Sequence, residues 1–455
     1  MKFKKAVLGC LMTALLTPQV YAAVTADKAA QLGSVLTDIG AEKAGNADGS
    51  IPEYNGGLKT PPPQYKKGSG VRPDPFADEK PLVSITAANM SAYDSKLTMA
   101  TKELLKRFPD TFRVDLYPTH RTAAFPEYVI DNTKKNATSA VTTDGGLGLK
   151  NAYPGYPFPI PQNGYEVMWN HLLRFVGVAV EGKYDTINVD LNGQATLATT
   201  GIIRQEFPIY DPAKEGMIKE DDTFTRLTIH YTAPARRAGE SIMSMDFVNS
   251  DKHPRRAWQY LPGQRRVKLA PSISYDTPNP GTAGMSTYDD TWTFNGAMDR
   301  FNFKLIGKKE LIVPYNSYKL VYESKGEDVI QGKHLNPDAV RWELHRVWVV
   351  EATLKPGKRH IYSKRIFYVD EDSWVALTSD QYDARDQLYR AGFSFYTTSY
   401  EIPAPQMDTM VVYDFVAGSY SLTGANTGPY GGNVQVPMLP DRDWSPDALA
   451  GAGVR

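Results

Sequence analysis

Between about residue 180 and residue 413, short β-prone runs alternate with turns, and this pattern limits the fold more than any other feature. The runs are rich in Val, Ile, Thr, Tyr and Phe, which favour strands. Candidate strands lie at 186–191, 195–207, 224–232, 239–248, 311–314, 341–353, 392–398 and 410–413, with hairpins at 257–269 and 361–377. The sequence shows no solenoid or propeller repeat. It therefore predicts an α+β fold whose body is one long antiparallel meander.

Helical periodicity is confined to the part of the chain before this meander. Apolar residues recur at steps of three and four within 91–108, and Pro109 ends that predicted helix. A second helix is predicted at 164–175, after a proline-rich stretch at 153–161 that cannot pair as an interior strand. A short helix is also expected within 25–36.

The first residues have the three parts of a secretory signal peptide. Lys2, Lys4 and Lys5 form a positive start, 6–16 is apolar, and small residues at 20–22 suit a signal peptidase. The apolar run is shorter than the roughly 20 residues that span a bilayer. We therefore predict cleavage near Ala22 and a mature protein in a Gram-negative periplasm.

Cys10 gives the alternative of lipid attachment, because residues 7–10 loosely resemble a lipobox. The apolar run continues past Cys10, however, and a lipobox should end it. Cys10 is the only cysteine in the chain. Cleavage at Ala22 would therefore leave no disulfide, no thiolate metal site and no cysteine nucleophile.

Composition divides the mature chain into three predicted parts. Residues 23–80 are interrupted by Gly and Pro, and their varied sequence favours an extended arm along the body, with a flexible linker as the alternative. Residues 81–422 form the predicted curved-sheet body, and 423–455 form an irregular tail. Removing the three lysines of residues 1–22 leaves 48 basic against 51 acidic side chains, a formal charge of −3. That balance argues against nucleic acid as a partner.

No motif for catalysis, a metal or a cofactor stands out. The Gly-x-Ser-x-Gly elbow, the His-Glu-x-x-His helix and the phosphate-binding loop are all missing, and the histidines lack local metal-ligand spacing. We therefore predict no catalytic residues and no cofactor. The acidic run 370–372 is expected at a hairpin tip, with a calcium site as the alternative.

Aromatic and cationic side chains provide the candidate ligand contacts. In the hairpin at 257–269, alternation would place apolar residues on one face and arginines, which grip phosphate or carboxylate groups, on the other. Surface ion pairing of the arginines, and ordinary core packing of the aromatics, are the alternatives. The cavity or mouth candidates are Trp169, His171, Trp258, Tyr260, Arg265, Arg266, Trp342, Trp348, Phe367 and Trp374, and the gating-loop candidates are Tyr156 and Phe158.

Several segments, taken together, resemble one family. They are GAEKAGNADGSIP at 40–52, GYPFPIP at 155–161, WQYLPGQRRV at 258–267, VEATLKPG at 350–357 and FYVDED at 367–372. This set resembles the secreted proteobacterial domain-of-unknown-function family 1329, also described as outer-membrane lipoprotein-sorting-like. The segments run from about residue 35 to about residue 420.

The resemblance implies a fold similar to the lipoprotein carriers LolA and LolB. There a curved antiparallel sheet forms an open half-barrel, helices plug its mouth, and an apolar cavity holds acyl chains. The family also implies an inner-membrane exporter of the resistance-nodulation-division type, and an outer-membrane channel, as partners. It supplies no catalytic residues.

These observations lead to one functional hypothesis and two alternatives. The hypothesis is a periplasmic carrier that binds a lipid or another hydrophobic molecule. The alternatives are a periplasmic hydrolase, with carboxylates or histidines brought together from distant strands, and an adaptor of an envelope transport complex that binds no ligand.

Overall fold

The computed structural model describes residues 23–270, 273 and 275–452. The predicted signal peptide, residues 1–22, lies outside the described residues. The described chain has an α+β fold in which one large sheet dominates and the helices are short, so the predicted fold class is confirmed. In this part of the chain, no helix is long and apolar enough to cross a membrane.

The strands of the described chain are numbered in chain order. They are β1 Val83–Ile85, β2 Val114–Leu116, β3 Val141–Thr143, β4 Gly148–Lys150, β5 Ala179–Val189, β6 Ala195–Glu206, β7 Thr223–Ala233, β8 Ser241–Phe247, β9 Arg256–Leu261, β10 Arg266–Leu269, β11 Phe301–Pro314, β12 Ile330–Gln331, β13 His334–Leu335, β14 Trp342–Leu354, β15 Lys364–Asp370, β16 Ala376–Tyr382, β17 Leu388–Ser399, β18 Ala404–Asp414, β19 Ser419–Ala425 and β20 Val434–Gln435. The α-helices are α1 Ala26–Ala29, α2 Met99–Arg107, α3 Glu127–Ser139, α4 Gly164–Leu172, α5 Gly326–Val329 and α6 Pro446–Ala452.

Two antiparallel meanders make up most of the large sheet. Strands β5 to β10 follow one another in the first meander, and β14 to β19 do so in the second. The meanders meet where β19 pairs with β5, with Leu422 opposite Ile187. Strand β11 pairs along β14, and β1 and β2 extend the sheet beyond β14. This long-range pairing fits the predicted antiparallel body but joins segments far apart in sequence.

The interior contains two large apolar clusters. One lies under α3, α4 and the proline-rich stretch, and includes side chains from β11, β14 and β15. The other lies between α2, the connection after β11 and strands β17 to β19. Because these clusters fill the space beside the second meander, free volume inside the described chain lies mainly beside the first.

The helices differ from the sequence prediction in two ways. The predicted helix at 91–108 is a 3-10 turn at Met90–Lys96 followed by α2, because the Thr98 side chain accepts from Thr101 N–H and starts a new helix there. The second predicted helix is α4, capped by Asn163. Helix α3 was not predicted, because its apolar residues are few and its C-terminal half is polar.

Several strands are longer than predicted. Strand β11 begins at Phe301 instead of Leu311. Apolar and polar residues alternate in its first part, as in a half-buried strand, but the bulge at Leu305/Gly307 interrupts this pattern before Leu311. Strand β19 was not predicted, although it joins the two meanders. Its Ser, Thr and Gly residues give a weak strand signal on their own.

Residues of the N-terminal arm make buried contacts with the body. The Trp374 indole donates to the Ile39 carbonyl at 3.0 Å, and Arg72 is buried against Glu401 at 2.6 Å. Gly40 has a φ of +100°, and a Cβ there would lie 1.7 Å from the Pro159 carbonyl oxygen. The arm is thus part of the folded body.

The predicted irregular tail, 423–455, contains ordered elements in its described part. It holds the end of β19, the short strand β20, which pairs with β5, and helix α6. Trp444 and Leu449 pack against Met243 and Tyr260. The tail therefore covers apolar residues of the first meander.

Candidate functional site

A cavity of about 130 Å³ lies between the sheet and the long connection that follows β10. Its sheet wall comes from β5 to β8 together with β18 and β19, so both meanders contribute. Its opposite wall comes from residues 275–299, which we call the cover segment, with Ile273 beside it. The residues after α4 close one end.

Strand alternation selects the residues of the sheet wall. In β5 the cavity residues are Val180, Gly182, Tyr184 and Thr186, which are every second residue and therefore share a face. Across the sheet, Ile203, Ile229 and Ile242 stand opposite one another in register. The other apolar and aromatic lining residues are Val176, Leu227, Tyr231, Ile273, Tyr288, Trp292, Met407 and Met410. Polar side chains are interspersed among these apolar residues, including Gln205, Ser244, Asn279, Asn295, Thr423 and Asn433.

The first part of the cover segment contacts the sheet through a few hydrogen bonds. The Thr199 hydroxyl donates to the Gly281 carbonyl at 2.9 Å, and the Asn188 amide donates to the Thr282 carbonyl at 2.7 Å. A Cβ at Gly281 would lie 2.8 Å from the Tyr231 hydroxyl, so a larger residue there would require the tyrosine to shift. This side of the cavity is thus closed by loop backbone.

The second part of the cover segment is anchored by buried charges. Asp289 accepts from Arg365 at 3.0 Å and from His360 at 2.9 Å, and Asp290 accepts from Arg365 at 3.2 Å. Burial alone would raise the pKa of Asp289, but Arg365 and His360 outweigh it and hold the pKa well below its usual range. The anchor therefore stays ionised at neutral pH.

Three charged side chains line the cavity, and they differ in whether a neighbouring group pairs with their charge. Arg255 donates to Asp246 at 2.6 Å, so its charge is paired. Asp408 accepts from Tyr322 at 2.9 Å and from Asn433 at 2.7 Å. Arg174 is 5 % exposed, and within the described chain it has no carboxylate at ion-pair distance.

The arginine hairpin predicted from the sequence lies away from this cavity. Arg265 and Arg266 are exposed at the β9–β10 turn, and neither has an ion pair with a described residue. Trp258 is half-buried, and Tyr260 is buried against α6. The turn has Arg265 at a φ of +48°. None of the four is among the described residues that line the cavity, so a ligand contact there stays a prediction.

The other aromatic candidates, and His171, pack in the two apolar clusters. Trp342 lies edge-on to Phe393, and Trp348 stacks on Trp374 with ring centroids 6.1 Å apart. Trp169, Phe367 and Trp374 belong to the cluster under α4, and the buried His171 is hydrogen-bonded to the backbone of two other members, Phe294 and Ala376. In the described chain they line no part of the cavity.

The gating-loop candidates are also core residues. Tyr156 is fully buried and donates to the Ser373 carbonyl at 3.3 Å. The Phe158 backbone exchanges hydrogen bonds with the Asn170 side chain of α4. The proline-rich stretch therefore ties α3, α4 and the β15–β16 turn together. A gating motion there remains a prediction.

The acidic run Asp370–Asp372 forms a turn between β15 and β16, but the turn is buried and not an exposed tip. Arg121 donates to Asp372 at 2.7 and 2.8 Å and to carbonyls of the arm. Burial and the neighbouring Asp372 raise the pKa of Asp370 to about 6. His345, Asp370 and Asp372 could together offer three ligand atoms within 4.8 Å of one another. The Arg121 guanidinium already neutralises Asp372. The acidic cluster therefore has a structural role, because it holds the arginine that donates to carbonyls of the arm.

Sequence reasoning missed the cavity residues themselves. Strands were predicted over most of β6 to β8, but the strand predicted at 186–191 covers only the end of β5. Nothing local distinguishes a strand face that packs against a filled core from one that lines a cavity. The cover segment carries no periodicity. Arg174 looked like an ordinary cation after a helix.

The fold and the cavity define an α+β protein with one dominant sheet and a cavity between that sheet and a long covering connection. The chain belongs to the family described as "Protein of unknown function (DUF1329)", whose sequence model matches residues 84–450. The uncharacterized protein PA3922 of Pseudomonas aeruginosa is 42% identical over 455 residues, 98% of each chain.

Three solved structures are also similar to part of the chain. An outer membrane lipoprotein-sorting protein domain from Vibrio parahaemolyticus has a TM-score of 0.43 and 14% identity, covering 63% of this chain and 98% of its own. A DUF1329 family protein from Desulfovibrio piger has a TM-score of 0.40 and 16% identity, covering 60% and 91%. The LolA superfamily protein NE2245 from Nitrosomonas europaea has a TM-score of 0.38 and 11% identity, covering 63% and 100%.

Proposed function

We propose that this protein is a periplasmic carrier that binds a lipid or another hydrophobic molecule and transfers it without catalysis. The observation that supports the proposal is the apolar cavity between β5–β8 and the cover segment. The periplasmic location rests on the signal-peptide pattern of residues 1–22.

Apolar burial is the source of affinity in this proposal. Each methylene that leaves water contributes about 0.8 kcal/mol. An apolar cavity of about 150 Å³ holds a benzene-sized molecule, so the enclosed part of this cavity, about 130 Å³, accepts a group of roughly that size. The cavity is partly open, so the rest of a longer ligand extends out of it.

We also propose that the carrier works beside an exporter of the resistance-nodulation-division type and an outer-membrane channel. This part rests on the family resemblance alone. Its test is cross-linking in intact cells followed by mass spectrometry of the captured proteins, and recovery of no membrane transporter would contradict it.

Adjacent isoleucines on opposite faces of β6 allow a matched test of the cavity. Ile203 lines the cavity, whereas Ile202 precedes it in the strand and faces the other way. We expect Ile203→Trp to fill the cavity and weaken binding of N-phenylnaphthylamine, a neutral apolar fluorophore, by about tenfold or more. Ile202→Trp should leave the affinity unchanged. The measurement is fluorescence titration of both variants and the wild type.

Two results would contradict the carrier. One is absence of saturable binding by the wild type, together with no co-purifying lipid in native mass spectrometry. The other is turnover of ester or glycoside substrates by the purified protein, because the proposal includes no chemical step.

A further inference from the structure

Arg174 is a buried cation without a counter-ion. It lies two residues after α4 and forms part of the cavity wall. Its Nη1 donates to the His171 carbonyl at 2.7 Å, and its Nε has no hydrogen-bond partner in the described chain. The residues outside the description, 1–22, 271, 272, 274 and 453–455, contain no Asp or Glu that could pair with it.

Burial lowers the pKa of Arg174 to about 10, which leaves the guanidinium protonated at neutral pH. An isolated buried charge is costly unless it is paired. No nearby group forms an ion pair with the guanidinium. It lies 5.5 Å from the Trp292 ring, which carries no charge. The buried hydroxyls of Tyr156 and Tyr210 stay neutral because burial raises their pKa. The cavity thus contains one uncompensated positive charge.

The other charged groups of the wall do not supply the missing anion. Arg255 has Asp246 as its own partner. The Asp408 carboxylate is held by Tyr322 and Asn433, and Arg72 lies on its far side, bonded to Tyr322. Gln406 lies near Arg174, because its amide donates to the Val176 carbonyl at 3.0 Å. Arg174 and Gln406 therefore form a polar end of the cavity.

We propose that Arg174 binds the anionic head group, a carboxylate or phosphate, of an amphipathic ligand whose apolar part fills the cavity. This inference rests on the proposed function and specifies its ligand class. A guanidinium presents planar donors that match both anions. The apolar row Ile203–Ile229–Ile242 then contacts the chain of the ligand.

A structural role for Arg174 at the end of α4 is the competing explanation. A cation there also stabilises the helix through its last carbonyls. That role predicts equal effects of a substitution on all ligands, whereas head-group binding predicts an effect on anions alone. The two are therefore separated by ligands that share one chain and differ in head group.

The experiment compares dodecanoate, dodecyl phosphate and dodecanol by calorimetric titration at neutral pH. In the wild type, at least one anion should bind on the order of tenfold to a hundredfold more tightly than the alcohol. Arg174→Met should remove this preference and leave dodecanol binding unchanged. Arg174→Lys should retain part of it. Lys183→Met, which removes a cation from the opposite face of β5, should change nothing.

Each outcome bears on one claim. Equal affinities of the wild type for all three ligands would overturn the head-group inference but keep the carrier. Equal losses for anion and alcohol in Arg174→Met would assign Arg174 a structural role. If no ligand binds the wild type, the proposed function itself fails. The comparison of the three ligands with the wild-type protein still tests the predicted preference for anions if Arg174→Met does not fold. The tighter of the two anions identifies the head group.

Discussion

His171 connects three parts of the molecule through its imidazole. Its Nδ1 accepts from Ala376 N–H of β16 at 3.1 Å, and its Nε2 donates to the Phe294 carbonyl of the cover segment at 3.0 Å. Both bonds require the neutral ring with its proton on Nε2. Burial, followed by the charge of Arg174, lowers the pKa of His171 to about 3. The histidine is therefore a neutral bridge between α4, the sheet and the cover.

This bridge makes stability depend on pH. In the unfolded chain the His171 pKa is near 6.5, so below that pH the unfolded state binds a proton that the folded state excludes. We expect stability to fall by about 1.4 kcal/mol per pH unit between 6.5 and 3 from this residue. Urea unfolding of the wild type and His171→Gln at pH values across this range measures the difference. A difference that does not change with pH would contradict the prediction.

At the level of single residues, the sequence located core positions better than cavity positions. Trp169, His171 and Phe367 were singled out by size or chemistry, and they are buried. Whether a buried ring meets another ring or a ligand depends on which distant strand packs against it. Arg174 was overlooked for the same reason, because its lack of a carboxylate partner exists only in three dimensions.

Arg121 is the main link between the N-terminal arm and the body. It donates to both oxygens of Asp372, and to the carbonyls of Glu42, Lys43 and Pro52 in the arm. Lys308 adds bonds to Glu42 and Glu371. The buried acidic turn therefore has a structural role, because it holds the arginine that orders the arm.

Removal of this guanidinium should loosen the arm. Arg121→Met leaves Asp372 buried without its counter-ion, and we expect a loss of about 3–5 kcal/mol in the free energy of unfolding. Lys134→Met is the matched control, since its pair with Asp38 is exposed and should contribute less than about 1 kcal/mol. Urea unfolding gives both values, and limited proteolysis near residue 46 reports release of the arm. Equal losses in the two variants would contradict this role.

At the level of elements, local signals explain both the successes and the failures. Helix α4 was predictable because Val167, Met168 and Leu172 share one helical face. The Pro- and Gly-rich arm could be recognised as irregular, but its burial could not be derived, since its partners lie about 330 residues away. Helix α3 lacked a clear apolar stripe.

The junction of the two meanders holds the whole sheet together. Leu422 of β19 is fully buried opposite Ile187 of β5, and Leu197 of β6 stands on the other side of the same Ile187. Leu422→Ala should cost about 2–5 kcal/mol because it opens a cavity at this seam. Leu197→Ala should cost less, because Leu197 is 38 % exposed. Urea unfolding gives the free energy of unfolding of both variants. An equal loss in the two would show that packing at the junction of β19 and β5 does not contribute more to stability than the exposed position does.

At the level of the molecule, the sequence identified the class of fold but not the way its halves meet. Antiparallel hairpins between neighbouring strands follow from local turns. The pairing of β19 with β5 joins residues more than 230 positions apart, and no local pattern encodes it. The cavity straddles that seam, so its existence could not be predicted either.

The arm has a further consequence for the order of events during biosynthesis. Residues 39–52 leave the ribosome early, but the turn and the indole that receive them, 370–374, emerge more than 300 residues later. Until then the hydrogen bonds that the arm makes to this turn and indole cannot form, and those groups of the arm must find other partners, such as water. The native structure is therefore reached only when almost the entire polypeptide has been delivered.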